Sequence, residues 1–389
     1  MIPAAHIFNN FRTMGGVEAV LRHHLAKDAS HGIDSRIIIL MEDDSQPIER
    51  TFSLGTTSNS TIRQLRRGFA AAIAQFHPDI VIYHGTWGLP LLADLDGAAR
   101  RILMLHGNTP DEKRLIESRS PWVDGVLCVN EPLRQLVLRY LPSWDVGRVG
   151  VVCYPVQPLF DPVPRSPRKG RPLVIGVSGR LIVEQKRVDR LPAFCTQLEQ
   201  LGLDYRLELL GEGPERPWLE RHLPTGSKVV FHGRKSGEEY WRILNAWDVI
   251  FFVSDYEGTP ISMLEAMAMG AIPVFPRVGC GGDAYVAAVR PDLLYSAGDL
   301  AQAARTCQDL SAMQDAKVAE LRERSRATVA GHLGESYLSG FAAFFLSVKN
   351  KPRISGNPPA RPWPKNDLPL KWLAFLGALR RSFRKSRTN

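Results

Sequence analysis

The sequence predicts an α/β fold of two doubly wound, mostly parallel domains. Short apolar segments, typical of buried strands, alternate with helical segments over most of the chain, which is the order found in such sheets. Residues 155–172 interrupt this alternation with six prolines, a density that no regular element tolerates. The length of 389 residues also exceeds what one ordinary core accommodates. We therefore expect two domains joined by a linker.

The first half of the chain contains five predicted strands, at 4–8, 35–41, 80–84, 102–106 and 125–129, with helices at 17–29, 62–76 and 132–141. Gly15 and Gly16 follow the first strand, where a glycine loop can admit a phosphate, although most such pairs are simple turns. His84 and His106 each end a strand, at the edge where parallel sheets bind ligands. A histidine there is more often structural than catalytic, and for His84 both interpretations stay open.

The second half opens with predicted strands at 173–178, 205–210 and 229–233. Arg180 and Lys186 follow the first of these strands, and both side chains can reach a diphosphate and neutralise its charge. Two solvated surface cations are the structural alternative. A glycine loop with Gly211 and Gly213 follows the second strand.

A strand–loop–helix–strand unit at 248–275 is the strongest signal in the chain. Its strands are predicted at 248–254 and 271–275. Thr259 is predicted to cap the helix between them, and Gly270 is predicted to lie just past its end.

Two carboxylates and a helix start converge in this unit. Glu257 and Glu265 are separated by seven residues, so both can face the mouth of the sheet. The helix start at Ile261 offers N–H groups and a positive dipole end to a phosphate. Spacing alone would favour two solvated glutamates, and the surrounding sequence favours an anion-binding site.

The segment 257–270, Glu-Gly-Thr-Pro followed by Leu-Glu-Ala-Met-Ala-Met-Gly, resembles the Glu-x7-Glu signature of the retaining GT-B glycosyltransferases of glycosyltransferase family 4, the glycosyl transferases group 1. The resemblance extends over most of residues 1–350 in element order and over 174–300 in motifs. It implies a GT-B fold, with two Rossmann-like domains facing across a cleft. It further implies that Glu257 contacts hydroxyls of the transferred sugar and that Glu265 binds the ribose of the nucleotide.

The same resemblance assigns roles to residues elsewhere in the cleft. It implies that His106 contacts the transferred sugar and that the loop with Gly15 and Gly16 approaches the donor phosphates or the acceptor. The loop with Gly211 and Gly213 is implied to pack beside the nucleotide. The remaining predicted nucleotide-binding residues are Arg234, whose backbone is implied to meet the base, and Thr259 and Ile261 at the helix start.

The chain departs from the family pattern at three positions. Five residues separate Arg180 from Lys186, where the family usually has four. Arg187 replaces the glycine that normally follows the lysine, so it can share the role of Lys186. Asp283 stands near the position of a common glutamate, and we assign it no role.

We predict an acceptor domain at 1–165, a nucleotide-sugar donor domain at 166–333 and a helix at 334–350 that crosses back to the first domain. A proline-rich spacer and a basic tail follow at 351–389. This tail has ten Lys and Arg residues against Asp367, whereas the preceding residues have 39 basic and 39 acidic groups. The neutral body argues against a nucleic-acid-binding protein.

The tail contains a short amphipathic segment, 370–387, with aromatic residues on one side and lysines and arginines on the other. This composition fits adsorption to an anionic membrane surface. A segment that docks on the body or stays disordered is an equally weighted alternative.

The remaining composition favours a cytoplasmic protein, with peripheral attachment to the inner face of the plasma membrane through the tail. The five cysteines are scattered without a C-x-x-C pair, which is typical of reduced core residues. We find no secretory leader and no apolar run of bilayer length. We also find no acidic cluster for a metal, so we expect neither a metal nor a cofactor besides the nucleotide-sugar co-substrate.

The resemblance therefore implies a retaining hexosyltransferase that moves a sugar from a nucleotide-diphosphate sugar to a glycan or lipid-linked acceptor, and we expect it to act in bacterial lipopolysaccharide or exopolysaccharide synthesis. Two alternatives stay open. One is a nucleotide-sugar epimerase or a phosphorylase on the same fold. The other is a non-catalytic scaffold that keeps the nucleotide site.

Overall fold

The computed structural model describes residues 1–11, 16–41, 48–107, 112–163, 170–334, 336–357, 367 and 369–372. Gly15 and residues 373–387 of the predicted amphipathic segment lie outside these ranges. The described residues form two α/β units, each built on a parallel sheet, as the alternating sequence pattern predicts.

The first unit is a seven-stranded sheet with the strand order β3-β2-β1-β4-β5-β6-β7. Its strands are β1 Ile2–Phe8, β2 Ile33–Ile39, β3 Thr51–Ser53, β4 Ile80–His84, β5 Arg100–Leu105, β6 Gly125–Cys128 and β7 Val149–Val151. The helices around it are α1 Gly16–Lys27, α2 Ile62–Phe76, α3 Leu89–Leu92, α4 Glu112–Arg119 and α5 Glu131–Tyr140. Every described strand pair in this sheet is parallel, which the crossover helices make possible.

The second unit is a six-stranded sheet with the order β10-β9-β8-β11-β12-β13. Its strands are β8 Leu173–Ser178, β9 Tyr205–Leu210, β10 Val229–Gly233, β11 Val249–Phe251, β12 Ile272–Arg277 and β13 Leu294–Ser296. Its helices are α6 Leu191–Gln200, α7 Arg216–His222, α8 Gly237–Ala246, α9 Ile261–Ala268, α10 Gly281–Val289, α11 Leu300–Ala312 and α12 Asp315–Val329. The two sheets confirm the predicted fold class of paired Rossmann-like units.

Local sequence explains most boundaries. Helix α2 has the predicted bounds because Thr61 and Gln64 form a reciprocal capping box at its start. The strands β3, β7 and β13, each of three residues, were not predicted.

The prediction that Thr259 caps helix α9 is wrong by one residue. Pro260 occupies the N-cap position, because its backbone is extended, and the helix begins at Ile261. Thr259 is therefore free to use its side chain elsewhere. The predicted end of this helix is confirmed, since Gly270 has φ +80° just past the C-cap residue Met269.

After α12 the chain returns to the first unit. Helix α13, Ser336–Asn350, packs its apolar side there, with Phe344 against Gly125 and Gly150 of the sheet. The chain then follows this unit in an extended form: Asp124 accepts hydrogen bonds from the backbone N–H groups of Ile354 and Ser355.

The described start of the amphipathic segment is also docked on the first unit. The N–H of Leu370 donates to the carbonyl of Ser60 at 2.8 Å, and Leu370 is buried. Among the described helices, none has the length and apolar character needed to cross a bilayer.

Candidate functional site

The candidate site lies where the strand order of the second sheet reverses. Strands β8 and β11 are neighbours there, and the loops that follow them leave the same edge of the sheet in opposite directions. Such a crevice is the usual ligand position in parallel α/β sheets. The N–H of Asp255 donates to the carbonyl of Gln185 at 3.1 Å, which ties the two loops together. The predicted cations and carboxylates therefore share one edge.

Glu257 is the most tightly held of the predicted residues. It is only 5% exposed, and its carboxylate accepts hydrogen bonds from Lys186 Nζ at 2.7 Å and Ser254 Oγ at 2.7 Å. The side-chain amide of Gln185 donates to the other carboxylate oxygen at 3.3 Å. These three donors, one of them the Lys186 cation, satisfy the hydrogen-bonding capacity of a buried carboxylate. The structure thus joins Glu257 and Lys186 directly.

Arg180 lies at the exposed rim of this group. It donates to Oε1 of Gln185 at 3.3 Å. Gln185 therefore links Arg180 to the Glu257 carboxylate, which Lys186 also contacts.

Arg187 has a different role from the one it could share with Lys186. Its φ is +50°, in the left-handed region that favours glycine. Its guanidinium forms ion pairs with Asp189 at 3.0 Å and Asp255 at 2.7 Å. These ion pairs hold the Arg187 side chain against Asp189 and Asp255. The backbone conformation explains why a glycine would fit here.

The glycine loop at 211–213 packs against the backbone of the loop after β8. A Cβ on Gly211 would lie 2.0 Å from the carbonyl oxygen of Gly179, and a Cβ on Gly213 would lie 2.3 Å from that of Leu181. Glycine is required at both positions by this close approach of two backbones. Arg234, which follows β10, is exposed.

Glu265 lies in the second turn of α9, where its partly buried carboxylate accepts a hydrogen bond from the Tyr240 hydroxyl at 2.5 Å. Burial raises the pKa of Glu265 to about 7, and the Tyr240 hydrogen bond lowers it less. Additional hydroxyl groups that donate to this carboxylate stabilise its charged form and so lower its pKa.

The two units meet backbone to backbone at this site. Gly107, after β5, forms an antiparallel bridge with Gly258, after β11. The side-chain amide of Asn130 donates to Oγ1 of Thr259 at 2.8 Å. Asn130 also accepts from the N–H of Leu133 at the start of α5, so one side chain caps a helix of the first unit and binds the second.

Helix α9 forms a further contact between the units. A Cβ on Gly16, the first residue of α1, would lie 2.8 Å from Cδ1 of Ile261. Gly16, Thr259 and Ile261 are therefore brought together across the crevice. The glycine at 16 allows the two helix starts to approach each other.

A cavity of about 210 Å³ opens beside this junction. The first unit contributes residues of α5 to its wall, and the second contributes the loops after β11 and β12. Its lining includes Asn130, Gln135, Arg139, Glu257, Gly258 and Cys280. Glu257 therefore borders a cavity that both units line.

His106 lies on the opposite side of the junction, immediately after β5. Its Nε2 lies 2.9 Å from Nδ1 of His84, and its Nδ1 contacts the Tyr154 hydroxyl. Burial lowers the pKa of His106 to about 4, so the ring is neutral. Both ring nitrogens are engaged within the first unit. The part of this residue that touches the second unit is its carbonyl, against Gly258.

Several residues of the site were not predicted from the sequence. Asn130, Gln185, Tyr240 and Ser254 each bond directly to a predicted residue. Ser254 and Gln185 lie close in sequence to Glu257 and Lys186, so a search of the flanking polar residues could have found them. Asp283 also has a structural role, since it accepts from the N–H groups of Gly279 and Cys280 at the start of α10.

Residues 172–312 match the family model described as Glycosyl transferases group 1. The second unit therefore contains a glycosyl transferases group 1 domain. The match covers strands β8 to β13 and all of the predicted cations and carboxylates.

Two relatives illustrate the sequence similarity. The chain is 31% identical to 2-deoxystreptamine glucosyltransferase of Streptomyces kanamyceticus over 192 residues, which cover 48% of this chain and 48% of that protein. It is 23% identical to lipopolysaccharide 1,6-galactosyltransferase of Escherichia coli (strain K12) over 312 residues, which cover 74% and 83%. The chain thus spans about half the length of the first relative and more of the second.

The fold is shared with solved GT-B glycosyltransferases. The structure of Anabaena Alr3699/HepE in complex with UDP and glucose superposes with a TM-score of 0.68 at 14% identity, covering 89% of this chain and 100% of that one. At this identity the similarity concerns the fold.

Proposed function

We propose that this protein is a retaining glycosyltransferase of family 4 that transfers a sugar from a nucleotide-diphosphate donor to a glycan or lipid-linked acceptor. The observation that carries the proposal is the Lys186–Glu257 pair, buried at the crevice edge of the domain that matches glycosyl transferases group 1. The solved relative that holds UDP and glucose supports a nucleotide-sugar donor.

The donor diphosphate is proposed to lie between Arg180, Lys186 and the start of α9. Helix geometry leaves the first N–H groups of α9 without partners inside the helix, and they carry the positive end of the dipole. In the structure, Glu257 neutralises Lys186. When a diphosphate enters, Lys186 can bridge the Glu257 carboxylate and a phosphate oxygen. Arg180 adds a second cation from the rim.

The sugar and the ribose are proposed to bind to different carboxylates. Glu257 borders the cavity and accepts hydrogen bonds from hydroxyls of the transferred sugar. Glu265 accepts from the ribose, and added hydroxyl donors bring its pKa down from about 7. Gly211, Gly213 and the backbone at Arg234 complete the nucleotide side, whereas Gly16 and Thr259 shape the contact with the first unit.

Catalysis follows from charge stabilisation. When the bond from the anomeric carbon to the diphosphate oxygen breaks, negative charge grows on the leaving group, where Arg180 and Lys186 lie closest. Preorganised cations in a water-poor site stabilise such charge strongly, and each is worth on the order of 10²–10³ in rate. Retention requires the acceptor hydroxyl to approach from the face that the diphosphate leaves. The cavity beside Glu257 borders both units and provides such an approach.

The acceptor is proposed to be a growing glycan of lipopolysaccharide or exopolysaccharide synthesis, at the cytoplasmic face of the plasma membrane. The similarity to an enzyme named lipopolysaccharide 1,6-galactosyltransferase supports this class. The basic tail supports attachment to an anionic surface, and loss of residues 373–389 is then expected to release the protein from anionic vesicles.

Donor turnover tests the proposal. The protein is incubated with UDP-glucose, UDP-galactose, UDP-N-acetylglucosamine, GDP-mannose and ADP-glucose, and the release of the nucleotide is measured with and without a glycan extract. We expect release from one donor, accelerated by the acceptor and at least 100-fold slower in Lys186→Met. Formation of a sugar 1-phosphate only when inorganic phosphate is added, or interconversion of donors without an acceptor, would indicate a phosphorylase or an epimerase instead.

A further inference from the structure

A row of buried hydrogen bonds runs through the first unit from the interdomain junction to Asp28. The Tyr154 hydroxyl contacts Nδ1 of His106, and Nε2 of His106 lies 2.9 Å from Nδ1 of His84. Nε2 of His84 lies 2.9 Å from Nδ1 of His6, and Nε2 of His6 lies 3.3 Å from the Ser35 hydroxyl. The Ser35 hydroxyl in turn contacts the Asp28 carboxylate. We refer to these six groups as the histidine row.

The members of the histidine row come from four parallel strands and their flanking segments. His6, Ser35 and His84 lie on the neighbouring strands β1, β2 and β4, and His106 directly follows β5. Successive rings are stacked, with centroids 5.2 Å apart for His6 and His84 and 5.1 Å apart for His84 and His106. His6, Ser35 and Asp28 are fully buried. The row is therefore part of the sheet core.

The donor and the acceptor of every hydrogen bond in the histidine row follow from the groups at the two ends of the row, Asp28 and Tyr154. The Ser35 hydroxyl donates to the Asp28 carboxylate, which leaves the oxygen lone pair of Ser35 for His6. His6 must then carry its proton on Nε2, which leaves Nδ1 as an acceptor for His84. His84 and His106 likewise carry their protons on Nε2 and accept on Nδ1. Nδ1 of His84 accepts from His106, and Nδ1 of His106 accepts from the Tyr154 hydroxyl. All three histidines are neutral Nε2–H tautomers.

The buried surroundings of the three histidine rings favour their neutral forms. Burial, together with the neighbouring histidines, lowers the pKa of His6 and of His84 well below the ordinary value, and burial lowers that of His106 to about 4. Burial also raises the pKa of the Tyr154 hydroxyl, which thus keeps its proton and donates it. The row consequently has one arrangement of protons, fixed at the Asp28 end.

We propose that Asp28 and Ser35 are positioning residues, which set the tautomer of His106 through His6 and His84 and so hold the loop at 106–107 against Gly258. This loop provides the backbone bridge between the two units at the candidate site. The catalytic consequence rests on the proposed function, whereas the tautomer pattern does not. The row connects Asp28 and Ser35 in the sheet core with His106 at the junction.

Asp28 also directs a second branch. Nδ1 of His24 lies 3.0 Å from the Asp28 carboxylate, and Nε2 of His24 lies 2.8 Å from the Tyr337 hydroxyl of helix α13. His24 therefore donates its Nδ1–H to Asp28, whereas Nδ1 of each of the other three histidines accepts. This branch ends on the helix that returns from the second unit and does not contact His84 or His106 by a hydrogen bond.

A bound metal ion is the competing interpretation of this cluster. One ligand atom each of His6, His24 and Asp28 lies within 4.8 Å of the others. A metal bound to Nε2 of His6 would place the proton of that ring on Nδ1 and reverse the whole row. The two interpretations therefore predict opposite tautomers at His6, which a spectrum distinguishes.

The test is the ¹⁵N NMR spectrum of the histidine side chains, which separates protonated from unprotonated ring nitrogens in the full-length protein without substrate. In the wild type we expect Nε2–H at His6, His84 and His106 and Nδ1–H at His24. Nδ1–H at His84 or His106 would overturn the proposal. Nδ1–H at His6 together with one equivalent of zinc by elemental analysis would assign the cluster to a metal instead.

Ser35→Ala removes the one acceptor of His6 without removing a ring. We expect mixed tautomers at His84 and His106 and a turnover reduced about tenfold at unchanged donor KM. Ser35→Thr, which keeps the hydroxyl, should restore both. Tyr337→Phe is the matched control, because it cuts only the second branch and should leave His106 as Nε2–H. Unchanged tautomers at His84 and His106 in Ser35→Ala would refute the coupling, whatever the catalytic rate.

Discussion

The junction at Gly258 allows a quantitative prediction for Gly258→Ala. A Cβ at this position would lie 2.1 Å from the carbonyl oxygen of His106, 2.9 Å from Cα of Gly107 and 3.0 Å from the carbonyl carbon of His106. All three atoms belong to the backbone, so no side-chain rotation relieves the overlap. An ordinary contact needs 3.4 Å, and the two units must therefore separate by about 1.3 Å at this point.

A separation of this size affects catalysis and leaves donor binding intact. Displacement of reacting groups by about 1 Å is expected to lower kcat on the order of 10²-fold. The proposed nucleotide contacts, Arg180, Lys186 and Glu265, all belong to the second unit, so the nucleotide affinity should stay within about threefold. Each unit also keeps its own core, and the melting temperature should change little.

Steady-state turnover and calorimetric titration of the nucleotide measure these two effects on the same preparations. Gly331→Ala is the matched control, because a Cβ at Gly331 meets no atom within 4 Å and its backbone is not left-handed. Wild-type turnover by Gly258→Ala would refute the idea that close contact of the units assembles the site. Equal loss of nucleotide binding and turnover would place the nucleotide across both units.

Three further predictions concern charges and metals. Glu265 holds its proton up to a pKa of about 7 in the folded protein, against 4.5 in the unfolded chain, so the wild type loses stability as pH rises between these values. Glu265→Gln removes this loss and should be about 3 kcal/mol more stable in urea unfolding at pH 8, equal at pH 4.5, and about tenfold weaker in nucleotide binding; a stability gain at both pH values would contradict the assignment. Lys186→Met should lower kcat more than Arg180→Met, because Lys186 lies nearer the buried carboxylate; the reverse order, measured by turnover, would shift the main charge to Arg180. Turnover in EDTA should stay within twofold of the untreated rate, and recovery only on adding Mg²⁺ would assign the charge compensation to a metal.

The predicted fold class followed from patterns that are local in sequence. Strands β4, β8, β9 and β10 have the predicted bounds, because each is an apolar segment that ends in a glycine, a histidine or a polar turn. Three short strands, β3, β7 and β13, were not predicted, because their pairing depends on neighbouring strands whose position the sequence pattern does not give. Helix α9 was predicted with its start at the wrong residue, because Thr259 uses its hydroxyl to bind Asn130 of the other unit instead of capping.

The candidate site could be predicted only where one segment contains its residues. Glu257, Glu265, Arg180 and Lys186 lie in two motifs of the same domain. The sequence pattern does not predict contacts between distant segments. Asn130 and Tyr240 contact the site from helices α5 and α8, and the apolar periodicity of these helices predicts only which of their sides is buried. His84, for which two interpretations stayed open, has a structural contact on each ring nitrogen, to His6 and His106.

The most direct test of the account is calorimetric binding of UDP, GDP and ADP to the purified wild-type protein and to Glu265→Ala. We predict that one nucleotide binds tightly to the wild type and that this binding is lost in the variant, while the variant keeps its fold by circular dichroism. Absence of binding by all three nucleotides to a folded wild type, or unchanged binding in Glu265→Ala, would contradict the claim that this crevice is a nucleotide-sugar site.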